Sequence, residues 1–237
     1  MWRTLCRISG VASALGVAVL LMGMKPMTPE SLEAWFNDPN ATDEAEQQAL
    51  AVNEGDLEFL TRAPQKRPHA MHNEFTISPQ SLQDGWIKMV QCHDNLDVVS
   101  IAQILYHARR TRNLKVLSHQ GIARAWVEKN SVQLENISKH AKLCVQADVH
   151  SLYSNFDGSY SMYNGPFLRK FLDGYYPLRV TMDVNLPGDK LSFEAINPQA
   201  QAGFRVSHSH NTMQVDALFV GELSIEVMFS EKTASIN

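Results

Sequence analysis

The chain has 237 residues, 44% of them hydrophobic, and a formal net charge of −4. That is enough apolar material for one good core or two small ones. The charge is uneven: Pro26 to Leu60 holds nine acids and no Lys or Arg, whereas Thr61 onward carries eighteen basic and sixteen acidic residues. A near-neutral folded part offers no phosphate-neutralising surface, so nucleic acid is a poor candidate partner.

Ile8 to Met24 is an uncharged, mildly apolar run, preceded by Arg3 and Arg7 and followed by an acid-rich stretch. Its length is at the lower limit for a bilayer-spanning helix, and the charge asymmetry places the N-terminus inside and the rest of the chain across the membrane. Residues 1–25 are therefore read as an uncleaved signal anchor, with a cleaved signal peptide as the alternative because no good small-residue cleavage site follows the run. The expected location is the inner membrane with the folded part facing the periplasm or outside, or, after cleavage, secreted or periplasmic.

Residues 26–72 read as an acidic, semi-ordered tether. Thr28-Pro29-Glu30 has the form of a helix start, but the apolar faces behind it are thin for independent helices. Cys92 and Cys144 are the only cysteines beyond the leader, and an even number in an oxidising compartment predicts a disulfide. Cys92-His93-Asp94-Asn95 reads as a turn with Asx-type side-chain bonds.

From Asn73 onward a period of two dominates, the signature of half-buried strands. Strands are predicted at Trp86–Val90, Ile101–Tyr106, Leu114–Leu117, Ile122–Val127, Val132–Ile137 and Ala141–Val149. In the last of these, Leu143, Val145 and Val149 share one face, so Cys144 points to the other. Phe167, Leu168, Phe171 and Leu172 recur at helical spacing between Pro166 and Gly174, which predicts one short helix. Leu178–Leu186, Leu191–Phe193, Phe204–His208, Met213–Phe219 and Leu223–Phe229 complete the strands. The fold class is mainly β: an antiparallel β-sandwich, immunoglobulin-like or related, in two β-rich halves, 73–150 and 151–230, with residues 231–237 a disordered tail. A single larger sandwich is the alternative.

Three constellations carry candidate chemistry. The run from Tyr160 to Arg179 combines Tyr163, Phe167, Tyr175 and Tyr176 with Arg169, Lys170 and Arg179, the residue types that binding hot spots use. Arg109, Arg110, Arg112 and Lys115 form a basic cluster that either blunts a sheet edge or docks an acidic partner or the chain's own acidic stretch. Nine histidines raise the question of Zn or Cu, with His208/His210 and His69/His72 as candidate ligand pairs.

There is no GxSxG, HExxH or phosphate loop. The expected function is a non-enzymatic, membrane-tethered accessory or assembly subunit that uses no cofactor and contacts another envelope or membrane protein. An exported metal-binding protein is the alternative, and a hydrolase without a recognisable motif a lesser one.

Overall fold

A computed structural model describes residues 55–171, 174–188 and 190–232. The expected leader at residues 8–24 and most of the acidic tether lie outside these residues. Among the described residues no helix is long and apolar enough to cross a membrane.

The chain is mainly β, in several sheets. The strands are β1 (Glu58–Phe59), β2 (His69–Thr76), β3 (Trp86–Asp94), β4 (Ile101–Leu105), β5 (Thr111–Glu128), β6 (Ser131–His150), β7 (Leu152–Ser154), β8 (Tyr160–Phe167), β9 (Lys170–Phe171), β10 (Gly174–Tyr175), β11 (Leu178–Asn185), β12 (Leu191–Asn197), β13 (Phe204–His208), β14 (Thr212–Val220) and β15 (Leu223–Glu231). The large sheet runs β1-β14-β11-β2-β3-β6-β4, with β13 added to β14 and β5 to β6; a second sheet runs β12-β15-β8-β7, and β9 and β10 form a small hairpin. Alternation fixes which side of each strand is inside. On β11, Leu178, Val180, Met182 and Val184 are buried. They belong to one apolar cluster with Phe75, Met89 and Phe219 of the large sheet and Met162, Leu223, Val227 and Phe229 of the smaller one. A second, smaller cluster gathers Ile122, Val132, Leu134, Ile137, Leu143 and Val145 under the β5–β6 hairpin.

Four expectations are corrected. The halves do not separate near residue 150, because β11 lies between β14 and β2 in the large sheet. The β2–β11 pairing is parallel, so that sheet is mixed rather than wholly antiparallel. The ordered part starts before residue 73: β1 pairs with β14, and β2 begins at His69. Of the helix predicted over Phe167–Leu172, the described residues 167–171 are not helical: Phe167 instead pairs with Leu223 at the end of β8, and Lys170–Phe171 is a short strand paired with Gly174–Tyr175. Four apolar residues cannot nucleate a helix against a competing ladder. Pro166 sits where the β8–β15 register shifts, a place that needs no ladder N–H.

The predicted strand pairs at 114–127 and 132–149 are each continuous. Register shifts, among them one between Gln120 and Ile122, bend the hairpin without ending it, and Gly121 at that bend has φ +68°. The one helix of the described residues, α1 (Ser81–Asp84), stops at Gly85, whose φ is +73°. A Cβ at Gly85 would lie 2.6 Å from the Leu152 carbonyl oxygen. Gly85→Ala is therefore expected to cost about 2 kcal/mol or more, through the left-handed backbone and the clash together. A chemical denaturation midpoint equal to that of the parent chain would contradict this.

Candidate functional site

Strands β2 and β3 present an unusual inward face. Parity with Phe75 makes Met71, Asn73 and His69 inward on β2, and parity with Ile87 and Met89 makes Gln91 and His93 inward on β3; the register pairs Asn73 with Gln91 and Met71 with His93. His93, 4% exposed, and Gln91 and Asn73 are buried. The predicted turn at 92–95 is thus strand up to Asp94, and His93 faces the interior.

These polar groups satisfy one another in a chain. The Tyr106 hydroxyl donates to Gln91 Oε1 at 2.8 Å, and the Gln91 amide donates to Asn73 Oδ1 at 2.7 Å. His93 Nε2 lies 3.1 Å from Gln91 Oε1, and His69 Nε2 lies 3.1 Å from His93 Nδ1. An amide oxygen only accepts, so His93 carries its proton on Nε2 and its Nδ1 is the acceptor; His69 then donates from Nε2. Both rings are neutral in this arrangement, and protonating His93 would set N–H against N–H. Burial lowers the pKa of His93 to about 3, helped by the neighbouring His69. Burial likewise lowers that of His69 to about 4, with Asp97 opposing and Arg169 assisting.

A cleft of about 680 Å³ lies beside His69. Its lining includes Lys66, Arg67, Asp97, Val98, Lys139, Arg169, Tyr176 and Pro177. Arg169, its side chain 19% exposed, donates from Nε to Asp97 Oδ2 at 3.1 Å and from Nη2 to Asp97 Oδ1 at 2.5 Å. Its guanidinium stands 5.2 Å from the ring centres of both Phe171 and Tyr176, which meet edge to face. The β9–β10 hairpin places these groups by pairing Tyr175 with Lys170, and the Lys170 ammonium sits 5.0 Å from the Tyr175 ring. Arg67 pairs with Asp94, and the Asn95 amide holds the chain there by donating to the Arg67 carbonyl at 2.7 Å. Among the described residues Lys66 and Lys139 have no carboxylate partner.

A larger groove of about 810 Å³ crosses the opposite, outer face of β2, β11, β14 and β13, lined by His72, Thr181, Asp183, Arg205 and Asp216 among others. Several of its polar groups satisfy one another. Arg179 holds Asp216 with two bonds of 3.0 Å, Arg205 joins the same carboxylate, and His72 Nδ1 is 2.9 Å from the Thr181 hydroxyl. The two arginines keep the Asp216 carboxyl below its usual range. It is a solvated sheet face rather than a site.

Of the residues singled out in the sequence, Arg169, Lys170, Tyr175 and Tyr176 come together. Phe167 is buried in the core; Tyr163 lies on β8, its hydroxyl donating to Glu226; Arg179 belongs to the outer face. Arg112 stacks over Trp86 at 4.1 Å and faces Asp148 at 3.6 Å, at the far end of the β3–β6 ladder from the cleft, and Arg109 and Arg110 occupy the exposed turn before it. The histidine pairs do not converge. His69 and His72 are three apart on one strand and so point to opposite faces. β13, which carries His208, is separated from β2 by β14 and β11. His208 packs on Phe193, and His210 approaches Lys232. Among the described residues no group of three or more His, Cys, Asp or Glu side chains has metal-holding geometry.

One feature was not among the sequence candidates. Among the described residues β4 pairs only with β6; it carries no charge, and leaves Ile101 76% and Leu105 71% exposed, next to Val98 at 60%. β5, another free edge of the sheet, is guarded by Arg112, Lys115 and Arg124 and by bulges, the usual protections of an edge strand. The alternation in IAQIL was legible, but its edge position was not.

No protein-family model matches the chain, and no curated protein matches it. Among solved structures it is similar to an M1 zinc metallopeptidase mutant from Deinococcus radiodurans bound to a Tyr-Ser-Ala substrate, with a TM-score of 0.37 and 10% identity, over 76% of this chain and 43% of that one. It is also similar to a two-domain M1 zinc metallopeptidase mutant bound to L-tryptophan, with a TM-score of 0.35 and 11% identity, over the same shares of the two chains. The chain thus spans less than half the length of either. Matches at these scores say nothing about activity.

Proposed function

We propose that the protein is a non-enzymatic, membrane-tethered subunit of the cell envelope, in which a two-layer β-sandwich behind the N-terminal leader binds another envelope or membrane protein. The observation that carries this reading is the unguarded edge of β4. A strand with an edge unpaired among the described residues, no charge and exposed Ile101 and Leu105 is a template for strand addition. Its exposed apolar patch marks an interaction surface rather than ordinary solvent-facing structure. Phe171 and Tyr175 of the β9–β10 pair, with the flanking Arg169 and Tyr176, are of the residue types that dominate binding energy.

The test is crosslinking and affinity purification from native membranes, comparing the parent chain with Ile101→Lys/Leu105→Lys. Both substitutions lie on exposed positions, so the thermal melt is expected to stay unchanged while the captured partner is lost. Equal capture by the two proteins would refute the reading, as would recovery of the protein from a soluble cytoplasmic fraction.

A further inference from the structure

We infer that the cleft between the β9–β10 hairpin and the β3–β4 turn seats an acidic stretch of the partner polypeptide, a run of carboxylates that includes at least one apolar side chain. This inference rests on the partner-binding reading above and names the chemistry of what binds.

Charge is the first argument. The lining holds four cations, Lys66, Arg67, Lys139 and Arg169, and one carboxylate, Asp97. With Asp94, which holds Arg67 from just outside, two acids face four bases. Among the described residues neither Lys66 nor Lys139 has a carboxylate partner, and both stand exposed at the rim of a cleft whose walls are partly apolar, where their field adds to that of the arginines. Their freedom to reach a ligand contrasts with Arg169, already fixed by Asp97 and by two rings.

Shape and wall chemistry make the second argument. About 680 Å³ falls within the roughly 300–1,000 Å³ of ligand pockets, far more than a single small anion fills. Pro64, Leu96, Val98, Pro177 and the Tyr176 ring line it as well. A free inorganic anion would leave this apolar wall wet, whereas a peptide covers it. Continuity is the third argument: Val98 lines the cleft and Ile101 begins β4 only three residues on, about 10 Å of extended chain. A segment whose carboxylates meet Lys66 and Lys139 can therefore run on to the free edge, where strand addition takes over.

Fluorescence anisotropy on the full chain tests this, using a labelled peptide of sequence Glu-Glu-Phe-Glu-Glu-Leu, its counterpart with Lys for Glu, inorganic phosphate as competitor and anionic lipid vesicles. The acidic peptide is expected to bind and the basic one not. Lys66→Glu/Lys139→Glu should weaken binding at least tenfold and flatten its salt dependence, while Lys115→Glu, on the far side of the hairpin, should stay within twofold. Equal affinity of the parent chain and the double variant overturns the inference. So does full displacement by millimolar phosphate, or a preference for vesicles over peptide. Should Ile101→Lys/Leu105→Lys abolish partner capture from membranes while Lys66→Glu/Lys139→Glu leaves it intact, the cleft assignment fails and the edge-strand reading stands. Should the parent chain capture nothing, the edge-strand reading fails and the peptide titration alone decides the cleft.

Discussion

Acidification from pH 6.5 to 4.5 is expected to lower the folding stability by up to about 5 kcal/mol, through His69 and His93. Both folded-state pKa values lie below the ordinary 6.5, at about 4 and about 3. Toward the acid end of this window the unfolded chain binds nearly two protons more than the folded chain. Stability therefore falls as pH drops, with a limiting slope of about 1.4 kcal/mol per pH unit for each histidine. The loss is complete for His69 near its folded pKa and continues for His93 about a unit lower. Asp216, held low by Arg179 and Arg205, adds to the loss at the acid end, as pH falls through and below the ordinary carboxylate value. Urea titrations at pH 6.5, 5.5 and 4.5 measure the slope directly. His93→Gln keeps an amide able to bond Gln91 and His69 but does not titrate, so it should halve the slope. A stability that is flat across the window would show that the rings are protonated without penalty, and the tautomer assignment would be wrong.

The second large effect concerns the Cys92–Cys144 disulfide, which joins directly opposed residues of β3 and β6 across a separation of 52 residues. Restricting a loop of that length in the unfolded chain contributes about 4 kcal/mol in the chain-entropy model. Reduction, or Cys92→Ala/Cys144→Ala, is expected to lower stability by up to that amount, with both treatments shifting the denaturation midpoint alike. Reductant should have no further effect on the double variant. A shift equivalent to less than about 1 kcal/mol would show that the β3–β6 ladder already confines the unfolded chain there. The bridge sits on the outer face, since Cys144 lies between the fully buried Leu143 and Val145.

Strand faces were legible because alternation is a local property. Cys144 opposite its apolar row, Val180 and Met182 inward on β11, and Ile225 and Val227 inward on β15 all follow from a period of two. The buried polar chain was half legible: Gln91 and His93 share parity with Ile87 and Met89, which placed them inside once β3 was extended to Asp94. Reading Cys92–Asn95 as a turn hid this, because Asp and Asn there carry turn signals while tertiary pairing to Leu143 and Lys142 keeps the chain extended. The hairpin at Lys170–Tyr175 was misread as helix for the opposite reason, since a short stretch of apparent helical periodicity cannot outweigh a ladder it does not know about. The candidate cleft draws on residues from 64 to 177, brought together by pairings that no local pattern encodes. Its aromatic and Arg members were visible as a composition, but Lys66, Lys139 and Val98 were not.

The parallel seam between β2 and β11 sets an order of events. His72 meets Thr181 across 109 residues of chain, so one side of β2 stays open until β11, more than a hundred residues later, has emerged. The β5–β6 hairpin and its neighbour β3 can assemble from nearby sequence long before then, but the layer they belong to must wait for a distant strand to be threaded in. High contact order of this kind slows folding and lengthens the time a half-built sheet is open to aggregation. A holding chaperone that covers the open side of β2 during that interval would lower the aggregation risk.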